Sequence, residues 1–191
     1  ITTIDSTIKT LIKKNLIALE KRESYRYNYK TEKQDKRVEL NDEQTNVVNT
    51  ILNNKNISHT YLLYGVTGAG KTEVYMNIIE NIINDGKTAI MLVPEISLTP
   101  QIVERFILRF GNNVAILHSG LSDVEKYDEY RKILEGKVKI VVGARSAIFA
   151  PLKNIGIIII DEEHTSTYKQ DNHPRYHARD IASIRSEYHN C

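Results

Sequence analysis

Five short apolar runs rich in β-branched residues, TYLLYG (60–65), TAIMLVP (88–94), VAILHS (114–119), VKIVVGA (138–144) and IGIIIID (155–161), dominate the middle of the chain. Between them lie three longer stretches with spaced apolar positions, KTEVYMNIIENIIND (71–85), LTPQIVERFILRF (98–110) and SDVEKYDEYRKILEG (122–136). Runs of four to eight apolar residues fit strands buried on both faces, and the spaced stretches fit amphipathic helices. Strands alternating with helices predict an α/β fold, a parallel sheet flanked by helices.

The bulk composition is that of a soluble globular chain of 191 residues, enough to bury a sizeable core. Its formal net charge of +2 does not by itself announce a nucleic-acid partner. The charge is uneven, however: Ile1 to Arg37 holds ten Lys or Arg against five Asp or Glu. The one cysteine, Cys191, excludes an internal disulfide framework and any cysteine-based zinc cluster within these residues, which fits a reducing, cytoplasmic setting. No apolar run is long enough to span a bilayer, so no membrane partner is expected. The chain does not begin with Met and stops just after a helix-like segment, and is expected to be a piece of a larger protein.

Residues 5–19 place Ile8, Leu11, Ile12, Leu16 and Leu19 near helical spacing, with Asp5 or Ser6 as N-cap. Tyr25, Tyr27 and Tyr29 then alternate in a basic context, the pattern of a β-hairpin. Residues 1–30 fit the end of a winged-helix DNA-binding module, or equally a solvated helix and hairpin resting on the next domain. Residues 31–38 read as a linker, and 39–191 as the main α/β domain.

GVTGAGKT, Gly65 to Thr72, follows an expected strand and opens an expected helix. Glycines at 65, 68 and 70 let backbone N–H groups curl around phosphate oxygens; Lys71 reaches the β and γ phosphates, and Thr72 offers a hydroxyl to Mg²⁺. A chance glycine-rich turn is the competing account. Asp161 ends the last apolar run, where a carboxylate can hold Mg²⁺, and Glu162 is placed to act as base for an attacking water. An acidic turn is the competing account there. Beyond Glu163, His173 and His177 are four apart, but Pro174 argues against a helical metal site. Tyr168 and Tyr176 could stack on bases, and Lys169, Arg175 and Arg179 could meet phosphates. A polar surface loop fits the same composition.

Taken in order, GVTGAGKT, LVPEISLTPQ (92–101), HSGLS (118–122), GARSAIFAP (143–151), DEEH (161–164) and the YKQ and PRYHARD segments between Tyr168 and Asp180 resemble the PriA helicases. These are bacterial superfamily 2 DNA helicases that restart stalled replication forks. The resemblance runs through Leu40 to Arg185 and more loosely through the residues before it. It implies a RecA-like first helicase lobe that binds ATP and Mg²⁺. It implies Gln44 reading the adenine edge, and the phosphate, metal and base roles for Lys71, Thr72, Asp161 and Glu162. It implies His164 coupling the nucleotide site to lobe movement, Arg145 meeting a DNA phosphate, and Thr165 to Arg179 forming an aromatic-rich loop that links DNA binding to hydrolysis.

For the whole protein the resemblance implies 3′-to-5′ unwinding and primosome assembly, with forked and single-stranded DNA, other primosome proteins and single-strand binding protein as partners. It further implies a zinc module whose ligands are absent from this chain. Thr165 and Thr167 stand where the family has Asp and Ser, and Ala69 where a Ser is common. The family's GSATPS-type motif, second lobe and arginine finger are missing, so these residues alone are expected to bind nucleotide weakly and not to unwind. The rival is a non-catalytic, nucleotide-dependent DNA- or protein-binding module.

Overall fold

The computed structural model describes residues 2–20, 37–66 and 68–191. The expected hairpin at Tyr25, Tyr27 and Tyr29, and most of the 31–38 linker, lie outside the described residues. Ahead of them, α1 (Thr2–Lys13) is helical, but it ends before Leu16 and Leu19, which the spacing places on the same helix and which are 67 % and 74 % exposed. It begins at Thr2, so Asp5 lies within the first turn, where a carboxylate complements the positive helix end, and is not the N-cap.

The main domain opens with α2 (Asp42–Asn53), started by a capping box in which the Asn41 side chain accepts from the Gln44 N–H and the Gln44 side chain accepts from the Asn41 N–H. The remaining elements are α3 (Lys71–Asn84), β1 (Thr88–Leu92), α4 (Pro100–Phe110), β2 (Val114–Leu117), α5 (Asp123–Leu134), β3 (Ile140–Gly143), β4 (Ile155–Ile160), the short antiparallel pair β5 (Lys169–Gln170) and β6 (Tyr176–His177), and α6 (Ala178–His189). Four strands form a wholly parallel sheet in the order β2-β3-β1-β4, with Ala89 opposite Ile140 on one side and Ile157 on the other.

The pleat divides the core in two. Ala89, Met91 and Val93 point with Ile116 and Val142 to the face covered by Met76 and Ile79 of α3 and Phe106 and Phe110 of α4. Ile90 and Leu92 point with Leu117 and Val141 to the other face, covered by Ile133 of α5 and Ala178 and Ala182 of α6. The α3–α4 pair is further locked by charge. The Arg109 guanidinium, 3 % exposed, donates to Glu73 Oε1 and Glu80 Oε2, both at 3.0 Å, and Arg105 donates to Glu73 Oε2 at 3.1 Å.

One expected strand does not form. TYLLYG pairs with no strand among the described residues, and Leu62 and Tyr64 are 79 % and 93 % exposed. A strand exists only where a neighbour supplies ladder hydrogen bonds, and among the described residues no strand pairs with the outer edge of β4. Instead a groove of about 890 Å³ separates residues 61–64 from Ile157–Ile160.

Two substitutions test this packing. A Cβ on Gly143 would lie 2.4 Å from the Leu117 carbonyl oxygen and 2.7 Å from Ala147 Cβ. Gly143→Ala should therefore cost about 1–3 kcal/mol, read as a lower denaturant midpoint. Arg109→Ala leaves buried Glu73 with the partly exposed Arg105 as its charged partner and Asn77 as a neutral one, and should cost about 3–5 kcal/mol, whereas replacing Arg109 and Glu73 together by leucine should cost much less.

Candidate nucleotide site and its flanking loop

The phosphate-loop sequence enters α3 through Gly68 at φ 82° and Gly70 at φ 78°, left-handed conformations that favour glycine. A Cβ on Gly70 would also sit 2.6 Å from Gln44 Nε2, but that is the movable end of a side chain, so the left-handed backbone is what calls for glycine. Lys71 Nζ donates to the Gly65 carbonyl at 2.6 Å and to that of Val66 at 3.3 Å, which holds the ammonium against its own loop. Gln44, expected to read adenine, packs here as a brace: Nε2 donates to the Ala69 carbonyl at 3.0 Å while Oε1 serves the capping box.

Asp161 stands one residue beyond β4. Its N–H donates to the Leu92 carbonyl at 2.9 Å, extending the ladder by one rung. Its own carbonyl accepts from the Tyr168 hydroxyl at 2.7 Å, and Oδ1 accepts from the Tyr75 hydroxyl at 3.2 Å. Burial pushes the Asp161 carboxyl upward from the ordinary range; the Tyr75 hydrogen bond opposes this, the neighbouring Glu162 charge adds to it, and Lys71 opposes it. Burial, and then the Asp161 charge, push both Tyr75 and Tyr168 upward, so both phenols remain protonated donors.

Glu162 follows at φ 48°, a left-handed conformation unusual for a residue with a side chain and of the kind that concentrates at working sites. The turn is pinned by Thr165, whose N–H donates to the Glu162 carbonyl at 3.0 Å and whose hydroxyl donates to the same oxygen. Thr165 thus supplies both a main-chain and a side-chain donor to the turn. Glu162 Oε2 lies 3.6 Å from His164 Nε2, and Glu163 Oε2 3.3 Å from Arg179 Nη1. Gly65, Lys71, Tyr75, Asp161, Glu162, His164 and Arg179 all line the groove beside β4.

A nucleotide–magnesium group fits this arrangement by donor chemistry. The Thr72 hydroxyl and Asp161 carboxylate are hard oxygen donors, which suit Mg²⁺, and a glycine loop opening a helix suits a polyphosphate.

The loop after Glu163 separates the residues grouped there by composition. Tyr168 is 1 % exposed and belongs to the core, so it is not a base-stacking platform; its ring is taken by packing and its hydroxyl by Asp161. Lys169, Arg175 and Tyr176 line a separate shallow concavity of about 700 Å³. Arg145 borders it, its guanidinium 5.9 Å from the Tyr176 ring centre and donating to the Thr167 carbonyl at 3.2 Å and to the Lys169 carbonyl. Arg179 and His164 lie on the nucleotide side. His177 caps α6, its Nδ1 accepting from the Arg179 N–H at 3.2 Å.

Sequence reading missed Tyr75 and Glu73. The available signal was spacing: Tyr75 is four residues after Lys71, hence on the same face of α3.

The sequence profile of the DEAD/DEAH box helicase family matches residues 41–188. The chain is 53 % identical over 99 % of its length to replication restart protein PriA of Bacillus subtilis (strain 168), and 48 % identical over 97 % to that of Synechocystis sp.. It covers 24 % and 22 % of those two proteins. Among solved structures, the UvsW helicase from bacteriophage T4 superposes with a TM-score of 0.55 at 23 % identity, covering 83 % of this chain and 52 % of that one, a likeness of fold. A phosphate loop, a strand-ending DEEH and a profile match over most of the chain agree: the chain belongs to the DEAD/DEAH box helicase family and corresponds to about a quarter of a PriA-type protein.

Proposed function

We propose that the chain is the nucleotide-binding part of an ATP-driven, 3′-to-5′ DNA helicase that acts at stalled replication forks. Residues 39–191 belong to its first RecA-like lobe, 31–38 to a linker, and 1–30 to the end of a winged-helix module. The observation that carries this reading is the single groove in which Gly65, Lys71, Asp161 and Glu162 meet. Lys71 and the α3 N-terminus would take the phosphates, Thr72 and Asp161 would hold Mg²⁺, and Glu162 would orient and deprotonate the attacking water. Bound magnesium supplies charge neutralisation on the phosphoryl oxygens. Lys71 must leave the carbonyls of Gly65 and Val66, and Gln44 that of Ala69, to reach a nucleotide.

The contact proposed for single-stranded DNA is the concavity of Lys169, Arg175 and Tyr176, with Arg145 at its border, whose cations suit phosphates once Lys169 leaves Asp171, 3.0 Å away. Tyr168 acts from the inside: Arg145 holds the carbonyls on either side of it, and its hydroxyl holds Asp161, so the loop backbone and the metal-binding residue are one connected unit. Transition-state charge in a two-lobe motor is stabilised across the cleft, so these residues alone should not unwind DNA. Primosome proteins and single-strand binding protein remain the expected partners of the whole protein, along with its zinc.

In the full-length protein, Glu162→Gln should lower ATP turnover by about 10²–10⁴-fold while retaining nucleotide binding, and Lys71→Ala should weaken nucleotide binding itself. Unchanged turnover in Glu162→Gln would leave a non-catalytic, nucleotide-dependent binding module as the correct reading. Titrating single-stranded DNA over a range of salt, Lys169→Ala and Arg175→Ala should each weaken binding and reduce the magnitude of the salt slope by about 0.7. A slope identical to wild type in both would move the contact elsewhere.

A further inference from the structure

Asp161 is held through its main chain from two directions, by the ladder bond to Leu92 and by the Tyr168 hydroxyl. With the backbone fixed, the freedom left to the carboxylate is rotation about its side-chain torsions. That freedom is restrained by Tyr75, whose hydroxyl lies 3.2 Å from Oδ1. Tyr75 is 8 % exposed and part of the core between α3 and the sheet, so its ring cannot swing away without opening that core. A buried phenol needs an acceptor, and Asp161 provides it. Lys71 and Tyr75 are one helical turn apart, so the same helix face carries the phosphate-binding ammonium and the phenol.

From this geometry we infer that Tyr75 is a positioning residue, which sets the orientation of the Asp161 carboxylate toward a nucleotide-bound divalent cation. The inference rests on the proposed nucleotide site. Partners that orient a metal-binding carboxylate typically matter about 10–100-fold in metal affinity, because a misaimed carboxylate must be reordered each time the ion binds. Tyr75 touches neither phosphate nor water in this account; it acts through Asp161.

The test uses the full-length protein with a non-hydrolysable ATP analogue and Mn²⁺ as the probe, bound metal being counted by electron paramagnetic resonance. Tyr75→Phe keeps the ring and its packing, and measurements are made below the melting transitions of all variants. Mn²⁺ affinity should fall about tenfold in Tyr75→Phe, with metal-free affinity for a fluorescent ATP analogue unchanged. In an Asp161→Asn background the same substitution should cause no further loss, since its effect passes through the missing carboxylate. Wild-type Mn²⁺ affinity in Tyr75→Phe, or additive losses in the double variant, would overturn the inference. If Asp161→Asn alone leaves Mn²⁺ binding intact, the nucleotide-site reading fails as well.

Discussion

The carboxylate half of the site depends on the sheet being parallel. When β1, β2, β3 and β4 run the same way, their carboxyl ends open on one edge, and each ends in a chemically distinctive segment. Pro94 and Glu95 follow β1, His118 follows β2, Arg145 follows β3, and Asp161 follows β4. Residues spread from 94 to 162 are thereby brought to one rim, which is where open α/β sheets bind ligands. The parallel arrangement in turn requires both faces of the sheet to be covered, and the strict alternation of Ala89 and Met91 against Ile90 and Leu92 supplies apolar surface to both helical layers.

On that rim, Asp161 is subject to opposing electrostatic effects, of which burial is the largest and pushes its carboxyl upward. Burial and the Glu162 charge disfavour its ionised form, while the Tyr75 hydrogen bond and the Lys71 charge favour it. A fully solvated carboxylate would be ionised but unaimed; a fully buried and unpartnered one would be neutral. The phenol opposes the effect of burial, and the bond that stabilises the charge also bears on its direction. Glu162, one residue on, escapes deeper burial because the chain turns through a left-handed conformation there, and Thr165 holds that turn closed. Two adjacent carboxylates with different surroundings are thus obtained from one turn.

What could be read from sequence depended on whether the determining interaction was local. The helices beginning at Lys71, Pro100 and Asp123 were legible because apolar spacing acts within a few residues, and the structure adds local starts, with Thr99 and Ser122 as N-caps and Pro100 at the first helical position. Four of the five apolar runs formed strands. TYLLYG has the same composition and did not, since a ladder is made with a neighbour and composition does not say whether one is there. The same limit applies to Tyr168: an aromatic residue in a charged stretch looks like a stacking surface, and only the tertiary fold turns it inward onto Asp161. Gln44 illustrates a third case, in which a residue suited to reading a base edge finds nearer partners in Asn41 and Ala69.

Two ties connect the rim to the segments beside it, and they differ in kind. Between α3 and α4, Glu73, in the turn after Lys71 and Thr72, meets Arg105 and Arg109, which follow the 94–101 segment in sequence. Because Arg109 and Glu73 are desolvated, separating them would strand charge in the interior, so the two helices must shift together. The tie to the 165–170 loop is made of hydrogen bonds: Arg145 to the carbonyls of Thr167 and Lys169, and Tyr168 to that of Asp161. The arginine there is half-exposed, and its carbonyl partners are neutral. A phosphate offers such a guanidinium a stronger, charge-assisted partner than a carbonyl does. The two ties therefore differ in what parting them costs: separating the buried ion network would strand charge in the interior, whereas the Arg145 anchor is made to neutral carbonyls and costs less to exchange.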